Sequence, residues 1–262
     1  MKHFKKIIII LLLVAAIITA VISGSVIFDF YYTEYNDNKV YEDLQVKYQV
    51  EPEATSNIKE SETVQQSYNF DDLAKTNSDI KGWVKIPNTL IDFPVVQGTD
   101  NSKYLSYGFD NDYNINGCPF LDYRTISSSN SLTIHGHNMG TGKEAMFSTL
   151  IQYDTQTYFS EHQFIYYASI DTPEEISQYQ IFSVINFNIN DLSDFDYMQR
   201  DFADVSELNK WIFEAQKRSI YNIDYTPEAD ELQPKQILVL STCDMRTYGS
   251  NGRYVIVAYK KH

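Results

Sequence analysis

The stretch LVLSTCDMRTYGSNGRYVIVAY, from Leu238 to Tyr259, sets a cysteine at the end of one apolar run and an arginine, ten residues on, at the start of the next. Aliphatic and β-branched residues on either side of a polar segment read as two strands joined by a loop. If DMRTYGSNG is a hairpin loop, Cys243 and Arg253 return to the same end of a sheet. Upstream of this pair lie WVKIP, LIDFPVVQ, PFLDYR, SLTIHGH, HQFIYYAS and YQIFSVINFNI, each a short β-branched or aromatic run bounded by turn residues. Seven or eight such runs predict a mainly β domain, a sandwich or a barrel. One interruption is helical. In DVSELNKWIFEAQKRS, from Asp204 to Ser219, Asp204 is the N-cap with Glu207 three residues later, and Leu208, Trp211, Ile212 and Ala215 share one face. This helix falls between the sixth and seventh candidate strands.

The N-terminal part reads differently. Residues 7–28 carry no charge, and as a helix they would span about 33 Å, enough for a hydrocarbon core of about 30 Å. Lys2, Lys5 and Lys6 precede this run, which predicts a cytoplasmic tail at 1–6, a transmembrane signal anchor at 7–28 and an extracellular remainder. The small residues of AIITA and VISGS also suit a cleaved secretory signal, but the apolar run exceeds the usual core of about 7–15 residues. Residues 29–67 read as a polar tether, helical around Val40 to Val50 and acidic from Glu51 to Gln66, and 68–262 as the exported domain. Within that domain FDDLAKTNSD predicts a short helix ending near Asn77.

The formal net charge is −14, and because three lysines are the only charges in the first 28 residues, the exported part carries −17. That balance argues against nucleic acid as a partner. Two cysteines, Cys118 and Cys243, leave a disulfide open in an exported chain. The acidic run DNDYN, Asp110 to Asn114, reads as a solvated turn more readily than as a calcium loop.

A thiol with a reference pKa of about 8.5 is only a few per cent ionised at neutral pH, so a nucleophilic cysteine needs a base beside it. Of His135, His137, His162 and His262, the second stands out, since TIHGHNMG presents it at a strand end beside a loop. His135 lies two residues deeper in the sheet, and His162 and His262 sit in polar, exposed contexts. Arg253 is the candidate for supporting an oxyanion. The residues alone leave Cys243 open as a nucleophile, a buried structural thiol or half of a disulfide with Cys118. They imply no organic cofactor, and a metal site built on His135, His137 and Cys243 lacks a fourth ligand.

The blocks DIKGWVKIPNTLIDFPVVQGTDNSKYL, FLDYR, IHGHNMGTGKEAMFSTL and LVLSTC, with Arg253 ten residues beyond the cysteine, occur in this order behind the apolar N-terminus. Over roughly Phe70 to Lys260 the chain resembles the class B sortases, membrane-anchored cysteine transpeptidases of Gram-positive bacteria. The resemblance implies an eight-stranded β-barrel with N-terminal helices and a long helix between strands six and seven. It implies Cys243 as nucleophile, His137 as the catalytic histidine and Arg253 as the arginine that positions substrate, with Ser241 and Thr242 contributing hydrogen bonds to substrate. His135 stands where the family leads one to expect an aromatic residue and takes no catalytic role. The implied partners are surface proteins bearing a Pro-x-Thr-type sorting signal and an amine of a peptidoglycan precursor, with no cofactor or metal. Two rivals differ in kind. An L,D-transpeptidase-like wall-crosslinking enzyme expects a glycine before the cysteine and an arginine two residues after it, whereas LSTCDMR lacks the glycine and places Arg246 at three. A non-catalytic anchored β-domain that binds a wall component would leave Cys243 structural.

Overall fold

Eight strands close into a barrel in the computed structural model, which describes residues 2–50, 67–140, 145–191 and 195–261. They are β1 (Ile80–Lys85), β2 (Asp92–Val96), β3 (Phe120–Leu121), β4 (Ser131–His135), β5 (Phe164–Ser169), β6 (Thr172–Asn188), β7 (Ile237–Cys243) and β8 (Gly252–Lys260). Around the barrel the order is β8-β6-β5-β1-β2-β3-β4-β7. The β2–β3 and β4–β7 pairs are parallel and the other pairs antiparallel. Closure leaves the barrel itself without an open edge.

The helices are α1 (Lys2–Tyr48), α2 (Phe70–Thr76), α3 (Gln156–Glu161), α4 (Val205–Lys217) and the single turn α5 (Met245–Tyr248). Asp204 caps α4 by accepting from the Glu207 backbone N–H at 2.8 Å, as the sequence predicts, and Leu208, Trp211, Ile212 and Ala215 are all buried. These four pack with Ile237 and Val239 of β7 and Val255, Val257 and Tyr259 of β8. The alternate residues Leu238, Leu240, Tyr254 and Ile256 are also fully buried. Side chains alternate between the two faces of a strand, so one set lies under α4 and the other fills the barrel. Both faces of the hairpin are covered, which is why its sequence runs apolar without alternation.

The chain forms two compact units, Met1–Val40 and Tyr41–His262. The first is helical, and His3–Phe28 is long and apolar enough to cross a membrane, with a mean hydropathy of 3.0. In the second, the last turns of α1 join the barrel: Tyr41 and Leu44 are buried, and Gln45 donates to the Asp92 carbonyl at 2.6 Å. The helix expected around Val40 to Val50 is therefore the end of a longer one, and the acidic stretch from Glu51 to Gln66 lies outside the described residues. Strand bounds also shift. β6 begins at Thr172 because the charged segment TPEEISQ continues the ladder with β5. β3 keeps only two residues of PFLDYR because Asp122 starts a turn, its carbonyl accepting from Thr125. Both cysteines are free, so the Cys118–Cys243 disulfide is not formed. His162 is buried and stacked on Tyr158 at 4.2 Å, contrary to the exposed setting its sequence suggests.

Candidate active site

Cys243 and Arg253 face each other across the hairpin as directly opposed partners in the antiparallel ladder of β7 and β8. Opposed residues put their side chains on the same face, with Cβ atoms about 4.5–5.5 Å apart. That face is the one covered by α4 and its flanking loop, and both residues lie where the cover ends: their neighbours toward the helix are fully buried, whereas these two are half-buried. Access to solvent at the end of an otherwise sealed strand pair separates Cys243 from Cys118, which is buried beside the Pro94 carbonyl and whose thiol burial drives far up.

The histidine loop is tied to the same strand. β4 and β7 run parallel with His135 opposite Ser241, so the chain leaving β4 passes Cys243 two residues later. Gly136 donates its N–H to the Ser241 carbonyl at 3.1 Å and accepts the Thr242 hydroxyl on its own carbonyl at 2.7 Å. Asn138 donates from Nδ2 to the Cys243 carbonyl at 2.8 Å. His137 is thus bracketed on both sides by bonds to β7. A Cβ on Gly136 would stand 2.7 Å from the Phe147 ring, so only glycine lets the loop pass this close. The imidazole of His137 places Nε2 at 2.8 Å from the Leu105 carbonyl.

Ser241 and Thr242, expected to contribute hydrogen bonds to substrate, project to opposite faces of β7. Both are buried; Ser241 Oγ donates to the Tyr197 hydroxyl at 3.4 Å, and Thr242 points to the opposite face, onto Gly136. Their hydroxyls hold the walls of the site together.

The two arginines are told apart by their partners. Arg246 pairs with Asp244 through Nε at 2.8 Å and with Asp154 through Nη1 at 2.6 Å. The Arg246 guanidinium, against the cost of burial, holds the fully buried Asp244 carboxyl below the usual range, helped by Asn186 at 2.9 Å. Arg253 meets no carboxylate among the described residues; its Nη1 donates to the Ser250 and Gly252 carbonyls at 3.0 and 2.8 Å. Near it lies Tyr197, whose phenol burial pushes up against the opposing pull of Ser241 and Arg253.

His135 belongs to a separate cluster. Its ring lies 5.3 Å from that of Phe120, and its Nε2 is 3.9 Å from Asp122. Burial works to raise the Asp122 carboxyl, but His135, Arg124 and Asn101 outweigh it and hold the group well below the carboxylate range. Asp110 accepts from the Asp112 N–H at 3.1 Å and makes the acidic run a turn; among the described residues no group of three or more His, Cys, Asp or Glu is placed to hold a metal. Sequence reading passed over Asn138, Tyr197 and the Leu105 carbonyl. Asn138 stands inside the GHNM motif, so its adjacency was a usable signal; Tyr197 lies in a polar loop that offered none.

Barrel topology and a family model agree on what class of protein this is. The model for the sortase domain matches residues 84–261, and the chain belongs to that family of cysteine transpeptidases. Within the family it is a class B sortase. Sortase B of Staphylococcus aureus is 30% identical over 240 residues, covering 91% of this chain and 90% of that protein. Sortase B of Bacillus anthracis superposes with a TM-score of 0.68 at 26% identity, over 88% of this chain and 98% of that one. For sortase B of Clostridium perfringens the values are 0.64 and 28%, over 74% and 100%.

Proposed function

We propose that this chain cuts a Pro-x-Thr-type C-terminal sorting signal of secreted proteins and joins them to an amine of a peptidoglycan precursor, with Cys243, His137 and Arg253 as its catalytic residues. The observation that carries the assignment is the opposed Cys243–Arg253 pair at the open end of the hairpin, with the His137 loop hydrogen-bonded to the same strand. In this cycle the Cys243 thiolate attacks the threonine carbonyl carbon. An S–C bond forms, the C–N bond breaks, and His137 gives its proton to the departing amine. The incoming amine then attacks the thioacyl carbon, a new C–N bond forms, the thiolate leaves, and the amine's proton passes to His137. Water in place of the amine gives hydrolysis, the thiol-protease side of the same chemistry. Arg253 can offer a guanidinium donor to the oxyanion, since its partners are the Ser250 and Gly252 carbonyls and the Tyr197 phenol, and none is a carboxylate among the described residues.

Residues 7–28 anchor the enzyme in the membrane of a Gram-positive cell, with 1–6 cytoplasmic, 29–67 as connector and 68–262 outside. The location supplies the substrates: sorting signals emerge there, and precursor amines face the same side. The test is the full chain in detergent, incubated with peptides bearing Asn-Pro-x-Thr or Pro-x-Thr-Gly and with a panel of amines. Cleavage after threonine and a new amide are expected, both absent from Cys243→Ala and His137→Ala. No cleavage of any peptide, or cleavage that survives Cys243→Ala, sinks the proposal.

A further inference from the structure

The partner of His137 in this structure is a main-chain carbonyl, and that carbonyl is held from a distance. A carbonyl oxygen can only accept, so the 2.8 Å contact between Nε2 and Leu105 O fixes the hydrogen on Nε2 and leaves Nδ1 as the nitrogen that exchanges a proton. Leu105 closes a short 3-10 turn, Lys103–Leu105, and the residue before it is clamped. The Tyr104 carbonyl accepts the Cys118 N–H at 3.0 Å, and the Tyr104 hydroxyl donates to Asp79 at 2.7 Å. Gly117 lies against both peptide units: at φ +63° it occupies the left-handed region, and a Cβ there would fall 2.3 Å from Tyr104 O and 3.2 Å from Leu105 O. The Gly117 carbonyl in turn accepts the hydroxyl of Tyr41, in the last turns of α1. Tyr41 is 2% exposed and its ring meets Phe93 edge-on at 5.5 Å; burial, the largest of several effects, raises its phenol far above the usual value and so keeps it a donor.

We propose that Tyr41 is a positioning residue for His137: through Gly117 it braces the Leu105 carbonyl, which fixes the tautomer and orientation of the imidazole so that Nδ1 faces the reacting groups. The end of the N-terminal helix is thereby part of the apparatus that aims the proton donor. The inference rests on the assignment of His137 as catalytic for its consequence in turnover, but the tautomer itself is independent of that assignment.

The experiment is nitrogen-15 NMR of the histidine rings in the full-length chain in a detergent micelle, with His137→Gln to assign the resonances. In the wild type His137 should show the Nε2–H tautomer in its neutral form. Tyr41→Phe, which removes only a hydroxyl, should give a mixture of tautomers. On whichever sorting-signal peptide the wild type cleaves, the same variant should lose about tenfold in kcat with KM changed by less than about twofold. An Nδ1–H tautomer in the wild type overturns the proposal with no variant needed. An unchanged tautomer in a Tyr41→Phe chain that melts as a folded protein overturns the bracing role. Turnover that survives His137→Ala removes the catalytic assignment instead, and the tautomer measurement still decides the brace.

Discussion

Two arginines stand within ten residues of Cys243, and their side chains have opposite commitments. Arg246 is locked between Asp244 and Asp154, so Arg246→Ala strands a fully buried carboxylate and acts on the fold of the hairpin loop. Arg253 bonds to carbonyls of its own loop and to the Tyr197 phenol, with no buried carboxylate depending on it among the described residues, so Arg253→Ala should leave melting near wild type while lowering turnover about 10²- to 10³-fold, the usual effect of losing an oxyanion donor. Turnover and thermal melting measured on both variants check this; an active Arg253→Ala beside a folded but inactive Arg246→Ala would reverse the assignment. At this scale the sequence reading named Cys243, His137 and Arg253 because each occupies a motif with chemical meaning. It could not name the Leu105 carbonyl, since a main-chain acceptor leaves no trace in residue type.

Among the elements, α4 has the clearest signature and the heaviest structural duty. Its apolar stripe covers the outer face of β7 and β8 up to the point where Cys243 and Arg253 emerge, so it both seals the core and defines the opening. Trp211 lies between Phe195 and Phe202, at 5.3 and 5.8 Å, and its indole N–H donates to the Asp196 carbonyl at 2.8 Å. Trp211→Ala should cost about 3–5 kcal/mol in denaturant unfolding, and a loss under about 1 kcal/mol would show that α4 is not integral to the barrel. Periodicity made this helix legible because one face is buried and the other wet. The 3-10 turn Phe147–Asp154 and the helix α3 were not legible: the turn has buried residues on all sides and so no repeat to detect, and α3 buries none. β6 was read short for a related reason, because its first residues pair in the ladder while remaining exposed.

At the scale of the whole molecule, the chain is strongly acidic, yet two of its carboxylates, Asp244 and Asp122, are wholly internal. Asp122 accepts from Arg124 Nε at 2.8 Å and from Asn101 at 3.1 Å, and it ties the turn after β3 to neighbouring loops. Its acid strength is raised by folding, so the stability it contributes is complete above the unfolded value of about 3.9 and fades as pH falls below that toward its own low value. Asp122→Asn should therefore lower the melting temperature at pH 7 and flatten its decline from about pH 4 to pH 2; a decline as steep as in the wild type would place the acid sensitivity elsewhere. The barrel's closure was foreseen only as one of two β architectures until the family resemblance chose it, because composition and strand count do not fix which strands pair. The account turns on Cys243 forming a thioacyl bond. Intact mass and peptide mapping of the full chain, incubated with a sorting-signal peptide in the absence of amine, should find the acyl group on Cys243, released by hydroxylamine and absent from Cys243→Ala. No adduct, or an adduct on Cys118, would contradict it.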